Sequence, residues 1–221
     1  MSDLPSVEHS YGVELARKAI HMCSLSIPVV YYFVTKTTAL AILLPLTAAF
    51  TLADIARLTI PAVRRVFDAV FGFLLRRHEK NTERRRLNGA SYVLISASLC
   101  VWLFPKVIVI TAFAILIISD SAAALIGRKF GRHPFLGKSF EGASAFFVSA
   151  VIVVALAPKV NYLPLEYGIG IVAALLGSVV ESLSVTIDDN LSIPVAISVV
   201  MWLMYSILLP AVDVFKLDML T

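Results

Sequence analysis

The sequence predicts an all-α fold: a polytopic membrane helical bundle of about seven transmembrane helices plus one interfacial amphipathic helix. Three observations predict it. Hydrophobic residues make up 59% of the 221-residue chain and charged residues only 15%, with a mean hydropathy of +0.87. Soluble domains run near 45–50% apolar and about 25% charged. Apolar runs of roughly membrane-crossing length recur along the chain, and Lys and Arg fall in the loops between them rather than inside them.

Seven apolar segments read as spans: 19–34, 38–53, 90–104, 107–126, 143–157, 167–187 and 193–211. A perpendicular crossing needs about 20 residues, so the third and fifth must borrow flanking residues. The segment 62–79 is different. Arg64, Arg65, Asp68, Arg76 and Glu79 occupy one third of a helical wheel, and Val63, Val66, Phe67, Val70, Phe71, Phe73 and Leu74 fill the rest. That pattern predicts a helix lying in the interface, because two adjacent arginines make insertion costly. The spans use nearly the whole chain, so residues 1–221 are expected to form one integral-membrane domain.

Topology follows from the basic residues. Seven spans put Arg17, Lys18, Arg57, Arg64, Arg65, Arg76, Arg77, Lys80, Arg84, Arg85, Arg86, Arg128, Lys129, Arg132 and Lys138 on one side, and Lys36, Lys106, Lys159 and Lys216 on the other. Fifteen against four makes the first side cytoplasmic. Glu14, Asp54, Glu79, Glu83, Asp120, Glu141, Glu181, Asp188 and Asp189 fall at or near the same ends. The opposite loops read as short and chemically bland, so chemistry is expected on the cytoplasmic face.

Several function classes drop out. The net charge of +4 is spread over loops, which argues against nucleic acid as a partner. The Arg84-Arg85-Arg86 cluster beside an interfacial helix suits anionic lipid better. The opening stretch to Tyr11 carries Asp3 and Glu8 and lacks the basic start of a secretory signal. Cys23 and Cys100 lie inside apolar runs, and no spacing suggests a disulfide framework or a zinc site.

Four constellations carry candidate chemistry. In Glu14-Leu-Ala-Arg17-Lys18-Ala-Ile-His21, the residues Glu14, Lys18 and His21 share a helix face. A positive flank orienting the first span explains Arg17 and Lys18 but not His21, one turn deeper. In Ser119-Asp120-Ser121, Asp120 closes an apolar run just before Gly127-Arg128-Lys129-Phe130-Gly131-Arg132. A carboxylate there suits a cation bridging phosphates, with an interhelical ion pair as the plain alternative.

Gly137-Lys138-Ser139-Phe140-Glu141-Gly142 imitates a P-loop but fails its spacing: Arg132 stands where the first glycine is required. Lys138 and Glu141 at a helix start still suit phosphate and metal, or else a capped helix with a surface salt bridge. Finally, Glu181 lies two helical turns before Asp188, Asp189 and Asn190, so its carboxylate and theirs can face one cavity. A carboxylate in mid-span costs about 2.5–3.5 kcal/mol even on lenient insertion scales, which argues for use. Gly168-Ile-Gly170-Ile-Val-Ala173 imitates a dinucleotide fingerprint, but it opens a span and reads as helix packing.

In order, the chain carries Glu14-x-x-Arg17-Lys18-x-x-His21, Arg76-x-x-Glu79 with Asn88-Gly89-Ala90-Ser91-Tyr92, Ser119-Asp120-x-x-Ala123-Ala124-x-x-Gly127-Arg128-x-x-Gly131, Lys138-Ser139-Phe140-Glu141-Gly142, and Glu181 followed by Asp189-Asn190-Leu191-x-Ile193-Pro194. This set resembles the CTP-dependent lipid kinase family that includes dolichol kinase, phytol kinase and the fungal-type diacylglycerol kinase. The likeness runs from about Glu14 to Pro194. Phe140, where Leu is common, and Ser121 are its departures. The distantly related phosphatidate cytidylyltransferases end in a His-Gly-Gly and Asp-Arg-x-Asp stretch that is absent here, so nucleotidyl transfer to a lipid phosphate is the weaker alternative.

The resemblance implies transfer of the γ-phosphoryl of CTP to a membrane lipid alcohol such as dolichol, polyprenol, phytol or diacylglycerol, with Mg2+ or another divalent cation as cofactor. Asp120, Lys138, Glu141 and His21 are then the expected catalytic residues. Arg17, Lys18, Arg128, Lys129, Lys138 and Ser139 would hold the nucleotide, and Asp120, Glu181, Asp188, Asp189 and Asn190 the metal. Small size and short loops suit a bacterial or archaeal plasma membrane. A small transporter is the alternative from another class, but carriers keep their sites near the midplane in repeated halves, and no internal repeat is visible. The sequence leaves the lipid and the oligomeric state open.

Overall fold

Prolines and small polar caps decide where the helices begin. The computed structural model describes residues 5–71, 87–183 and 188–219. The helices are α1 (Pro5–Cys23), α2 (Ser26–Phe33), α3 (Lys36–Thr59), α4 (Pro61–Phe71), α5 (Gly89–Leu103), α6 (Lys106–Phe130), α7 (Phe140–Leu156), α8 (Pro164–Leu183) and α9 (Asp189–Leu208). Pro5, Pro61 and Pro164 open their helices, where the missing N–H costs nothing. The side chains of Thr35, Asn88, Ser139 and Asp188 accept from the amides of Thr38, Ser91, Gly142 and Asn190, at 2.9 to 3.2 Å, capping α3, α5, α7 and α9. The remaining elements are a hairpin of β1 (Pro134–Phe135) and β2 (Lys138–Ser139) and a C-terminal 3-10 turn (Lys216–Met219).

Four helices, α3, α6, α8 and α9, are long and apolar enough to cross a membrane, and α5 and α7 are shorter apolar helices of 15 and 17 residues. At 1.5 Å per residue α6 spans about 37 Å, more than the roughly 30 Å hydrocarbon core. Helix α6 is the axis of the bundle. It is apolar on every face through Val107–Ile118, and Val107, Ile108, Phe113, Ile115, Leu116 and Ile117 are all buried, as expected of a helix hydrophobic all round. Helices α1, α2, α7 and α9 pack directly on it, and α5 joins through α9. Helix α3 packs on α5 and keeps most of its apolar side chains on the outside. The exposed large residues, among them Phe33, Leu52, Trp102, Leu156 and Ile207, form the surface a bilayer covers.

Small residues let the later helices close up. A Cβ on Gly170 would stand 2.5 Å from a Val154 methyl of α7, and one on Gly177 would stand 2.9 Å from Ile197 of α9. The Gly168–Ala173 stretch is therefore helix packing through Gly170.

The segment 19–34 is not one continuous helix. It breaks at Ser24–Leu25, where Ser24, Leu25 and Ile27 donate three residues back, to His21, Met22 and Ser24. Pro28 explains the break, since it has no N–H to offer the Ser24 carbonyl and its ring crowds that oxygen. Of the amphipathic segment 62–79, α4 covers the part to residue 71, with Arg64 and Arg65 exposed. Arg76, Glu79 and the arginine cluster at 84–86 lie outside the described residues.

The end of the bundle formed by the α7–α8 loop and the C-terminal turn is richer than its sequence suggested. Glu166 is fully buried and accepts from the amides of Val160, Asn161 and Leu163 and from the Tyr205 hydroxyl, at 2.8 to 3.0 Å. Lys159, also buried, donates to the Val154 and Ala157 carbonyls that end α7. Asp218 accepts from the Lys106 amide at 2.8 Å and so caps α6 from the C-terminal turn. These are loops tied down by charge-assisted hydrogen bonds, and the burial of Lys159 lowers its pKa.

Candidate active site

At the other end, about three turns before its C-terminus, α6 presents Asp120. The side chain is buried among Ser119 and Ser121, small residues that admit neighbouring helices. Helix α1 comes down beside it with Lys18 and His21 one turn apart, on the shared face that the sequence spacing requires. The Lys18 ammonium donates to Asp120 Oδ2, and both groups are buried. His21 Nε2 stands 3.7 Å from the same oxygen and has no hydrogen-bond partner. Glu14, one turn back, is buried and takes Arg17 at 2.8 Å and Arg128, at the end of α6, at 3.0 Å. Together, Glu14 and Asp120 clamp α1 to α6.

A second charged group arrives by the hairpin. Leu136 takes the positive φ that the β1–β2 turn needs, and the Gly137 amide donates to the Ser182 carbonyl of α8 at 3.0 Å. Lys138 is thereby delivered to Glu181, to which it donates a hydrogen bond, and to Asp189 Oδ2 at 3.8 Å. Glu181 and Asp189 are buried, whereas Lys138 remains about one third exposed. The chain can fold back this tightly because Gly127, Gly131 and Gly142 leave room around the Ser139 hydroxyl. That hydroxyl caps α7, which accounts for Lys138-Ser139 without a phosphate loop.

Between these groups lies a cavity of about 650 Å3. Its polar end is made by Lys18, His21, Asp120 and Asp189, and its walls by Ile20 of α1, Ala49, Phe50 and Ala53 of α3, Phe67 of α4 and Gly89, Ala90 and Val93 of α5. Asp54 shapes the wall from behind. It is buried, pairs with Arg57 at 2.6 Å, and accepts from the Asn88 amide and, at 3.2 Å, the Ser91 hydroxyl. The start of α5 is thus pinned to the end of α3. Gly89 completes the fit, since a Cβ there would stand 3.2 Å from the Asn190 amide nitrogen of α9. Phe67 lies over the Arg57 guanidinium, 4.9 Å from its centroid, and seats α4 against this node.

The site residues expected from the sequence separate into two groups. Lys18, His21, Asp120, Lys138, Glu181 and Asp189 come together, with Arg17 and Arg128 at the rim on Glu14. Glu141 does not join them. Its carboxylate faces His133, taking the ring nitrogen at 2.7 Å and the His133 amide at 3.3 Å. Its own backbone amide, then His133, holds its pKa down to about 2, ahead of the apolar run of α7. Lys129 is exposed and lies over the Phe130 ring. Asp188 accepts from both the amide and the side chain of Asn190, at 3.0 and 2.8 Å, so this pair builds the start of α9. Asp54 pairs locally with Arg57, but its other two partners lie 34 and 37 positions away in sequence.

Among the described residues, no three His, Cys, Asp or Glu side chains converge as a metal centre built of protein alone. The buried donors Asp120, Glu181 and Asp189 offer only oxygen, and magnesium is held by one or two carboxylates completed by water and phosphate oxygens. That donor set fits magnesium and fits zinc or copper poorly.

No family model matches the chain, and no solved structure matches it. It is 35% identical over 189 residues to an uncharacterized protein of Rickettsia prowazekii, covering 84% of this chain and 92% of that one. It is 29% identical over 171 residues to the CTP-dependent diacylglycerol kinase 1 of Schizosaccharomyces pombe, covering 70% of this chain and 75% of that one. It is 31% identical over 134 residues to a probable chloroplastic phytol kinase of Triticum aestivum, covering 54% and 45%.

Proposed function

Because the chain belongs to the CTP-dependent lipid kinase family, we propose that it transfers the γ-phosphoryl group of CTP to a membrane lipid alcohol, releasing CDP and a lipid monophosphate. The observation that carries this reading is Asp120. It is a buried carboxylate held by Lys18 at the junction of an apolar-walled cavity and a Lys138–Glu181–Asp189 cluster. Dolichol, polyprenol, phytol and diacylglycerol are all acceptors of the right chemistry.

Phosphoryl transfer asks for positioning and charge neutralisation. Lys138, with Arg17 and Arg128 at the rim, would neutralise the triphosphate, and Lys18 would hold the γ-phosphoryl oxygens beside Asp120. Asp120, Glu181 and Asp189 are the residues that would hold magnesium, which would supply charge neutralisation for the triphosphate. The lipid oxygen forms the new bond to the γ-phosphorus as the bond to the bridging oxygen of CDP breaks. His21 Nε2, free of other partners on the cavity wall, would take the hydroxyl proton. Glu141 has no part in this step; His133 occupies it. The basic residues in the loops support a site on the cytoplasmic face, and the chain's economy of loops suits a bacterial or archaeal plasma membrane.

The test is transfer by the purified protein, crossing four nucleoside triphosphates with a panel of lipid alcohols. CTP is expected to be the donor, and Asp120→Asn is expected to abolish transfer while the protein still folds and inserts, at a lowered melting temperature because Lys18 loses its buried partner. Near-normal turnover by that variant would refute the assignment of Asp120. Solute flux without nucleotide turnover would replace the kinase reading with a carrier.

A further inference from the structure

The donor cluster and the cavity share a wall but not an interior. Arg17, Lys18, Asp120 and Asp189 line the polar end of the cavity, whereas Lys138 and Glu181 do not. A hydroxyl in the cavity and a phosphate held by Lys138 would meet at that end, beside Asp120 and Asp189. In-line displacement asks that attacking and leaving oxygens stand on opposite sides of the phosphorus.

The walls are also unlike those of a nucleotide site. Their exposed surface is mainly apolar, although Arg17, Ser24, Asp54 and Asn88 contribute to it, and two of their members are themselves open to the surroundings: Ile20 of α1 is 55% exposed and Phe50 of α3 is 44% exposed. Both belong to the lipid-facing surface of the bundle, so the cavity opens sideways between α1 and α3. Its one polar end holds the buried Asp120 carboxylate and the unpartnered His21 nitrogen. An amphiphile with one hydroxyl and a long apolar body matches that lining, hydroxyl inward and tail toward the bilayer.

We infer that this cavity is the acceptor chamber, entered by the lipid alcohol from within the bilayer between α1 and α3, and that Ala49 and Ala53 set which tails it admits. The inference rests on the kinase reading for the role of the hydroxyl, but not for the binding itself. Ala49 and Ala53 lie four residues apart and so one above the other on the cavity face of α3. Both line the cavity and neither is buried, so a larger side chain there should narrow the chamber without breaking core packing. Ala90, at the start of α5, lines it as well.

The experiment uses the full chain in nanodiscs and two readouts. Transfer kinetics compare Ala49→Phe and Ala53→Leu with wild type, using single-tailed isoprenoid alcohols in one arm and diacylglycerols of short and long acyl chain in the other. The expected result is a KM for the long-tailed lipid raised tenfold or more, a smaller effect on short acceptors, and an unchanged KM for CTP. The more affected arm identifies the natural tail. Independently of turnover, a diazirine-bearing lipid alcohol should crosslink to residues 20–24 and 46–54 of wild type, and the two variants should lose that labelling. Labelling elsewhere, or variants with unchanged lipid KM, would overturn the chamber. If wild type transfers phosphate to no lipid yet labels at these segments, the kinase reading falls and the lipid chamber stands.

Discussion

Removing Asp54 should cost more than removing its partner Arg57, although the two form one pair. The side chains are 0% and 2% exposed, and the guanidinium sits 2.6 Å from Asp54 Oδ1. Breaking a buried pair leaves an uncompensated charge, typically worth about 3–5 kcal/mol. Asp54→Ala strands Arg57 and also strips the Asn88 amide and the Ser91 hydroxyl of their acceptor. Each of those hydrogen bonds contributes about 1 kcal/mol net, so the single variant should lose about 5–7 kcal/mol. Arg57→Met leaves Asp54 with both remaining donors, and the loss should stay near the lower edge, about 3 kcal/mol. The double variant Asp54→Leu, Arg57→Met removes both charges and should recover most of the pair's share. Its residual deficit should be about 2 kcal/mol, from the two lost hydrogen bonds. Unfolding free energies in mixed micelles, measured as a double-mutant cycle, give all four corners. Equal losses in the two single variants, or a double variant no better than Asp54→Ala, would refute the node described above.

Two other expectations concern the charged end of the bundle. Lys138→Met should lower phosphate transfer by about 100-fold or more, the usual effect of losing one donor to a developing phosphoryl charge. Adding Glu181→Gln should restore the melting temperature without restoring transfer, and recovered turnover in the double variant would remove Lys138 from the donor site. Glu141 has a folded pKa of about 2, below the ordinary value near 4.3. Its contribution to stability is therefore complete above that ordinary value and disappears as pH falls toward 2. The melting temperatures of wild type and Glu141→Gln should differ at pH 6 and converge across that window; a constant gap would mean the carboxylate's charge is not what His133 and the amide hold.

The sequence read well where physics is local. An all-apolar run had to be the buried axis, and α6 is. Lys18 and His21 had to share a helix face, and they meet the same oxygen of Asp120. The break between α1 and α2 was legible in Pro28 but was masked by continuous hydropathy. Glu141, which its helix-start position offers as a ligand, faces His133, a neighbour that only the hairpin supplies. For Asp54 only the pairing with Arg57 is local; the donors Asn88 and Ser91 lie at a helix start that only the tertiary fold brings to it. The buried groups at the far end, Glu166 and Lys159, are loop fasteners whose backbone partners no residue pattern announces.

Buried ion pairs are poor sources of stability, because desolvation consumes most of their attraction. Their value here lies in which elements they join. Lys18–Asp120 and Arg128–Glu14 fix α1 on α6, and Lys138 ties the hairpin to α8 and α9. In an apolar bundle, sliding any of these helices by one turn would leave a carboxylate alone in hydrocarbon, so the pairs select one register among many of similar packing energy. The same groups are those that phosphate chemistry would use. Asp54–Arg57 is the informative exception, since Asp54 is saturated by its partners and has no acceptor capacity left for a ligand. Replacing it with a packed apolar pair should keep the register and leave turnover, whereas the equivalent swap at Lys138 and Glu181 should keep the register and abolish it. That contrast separates the residues that build the site from those that act in it.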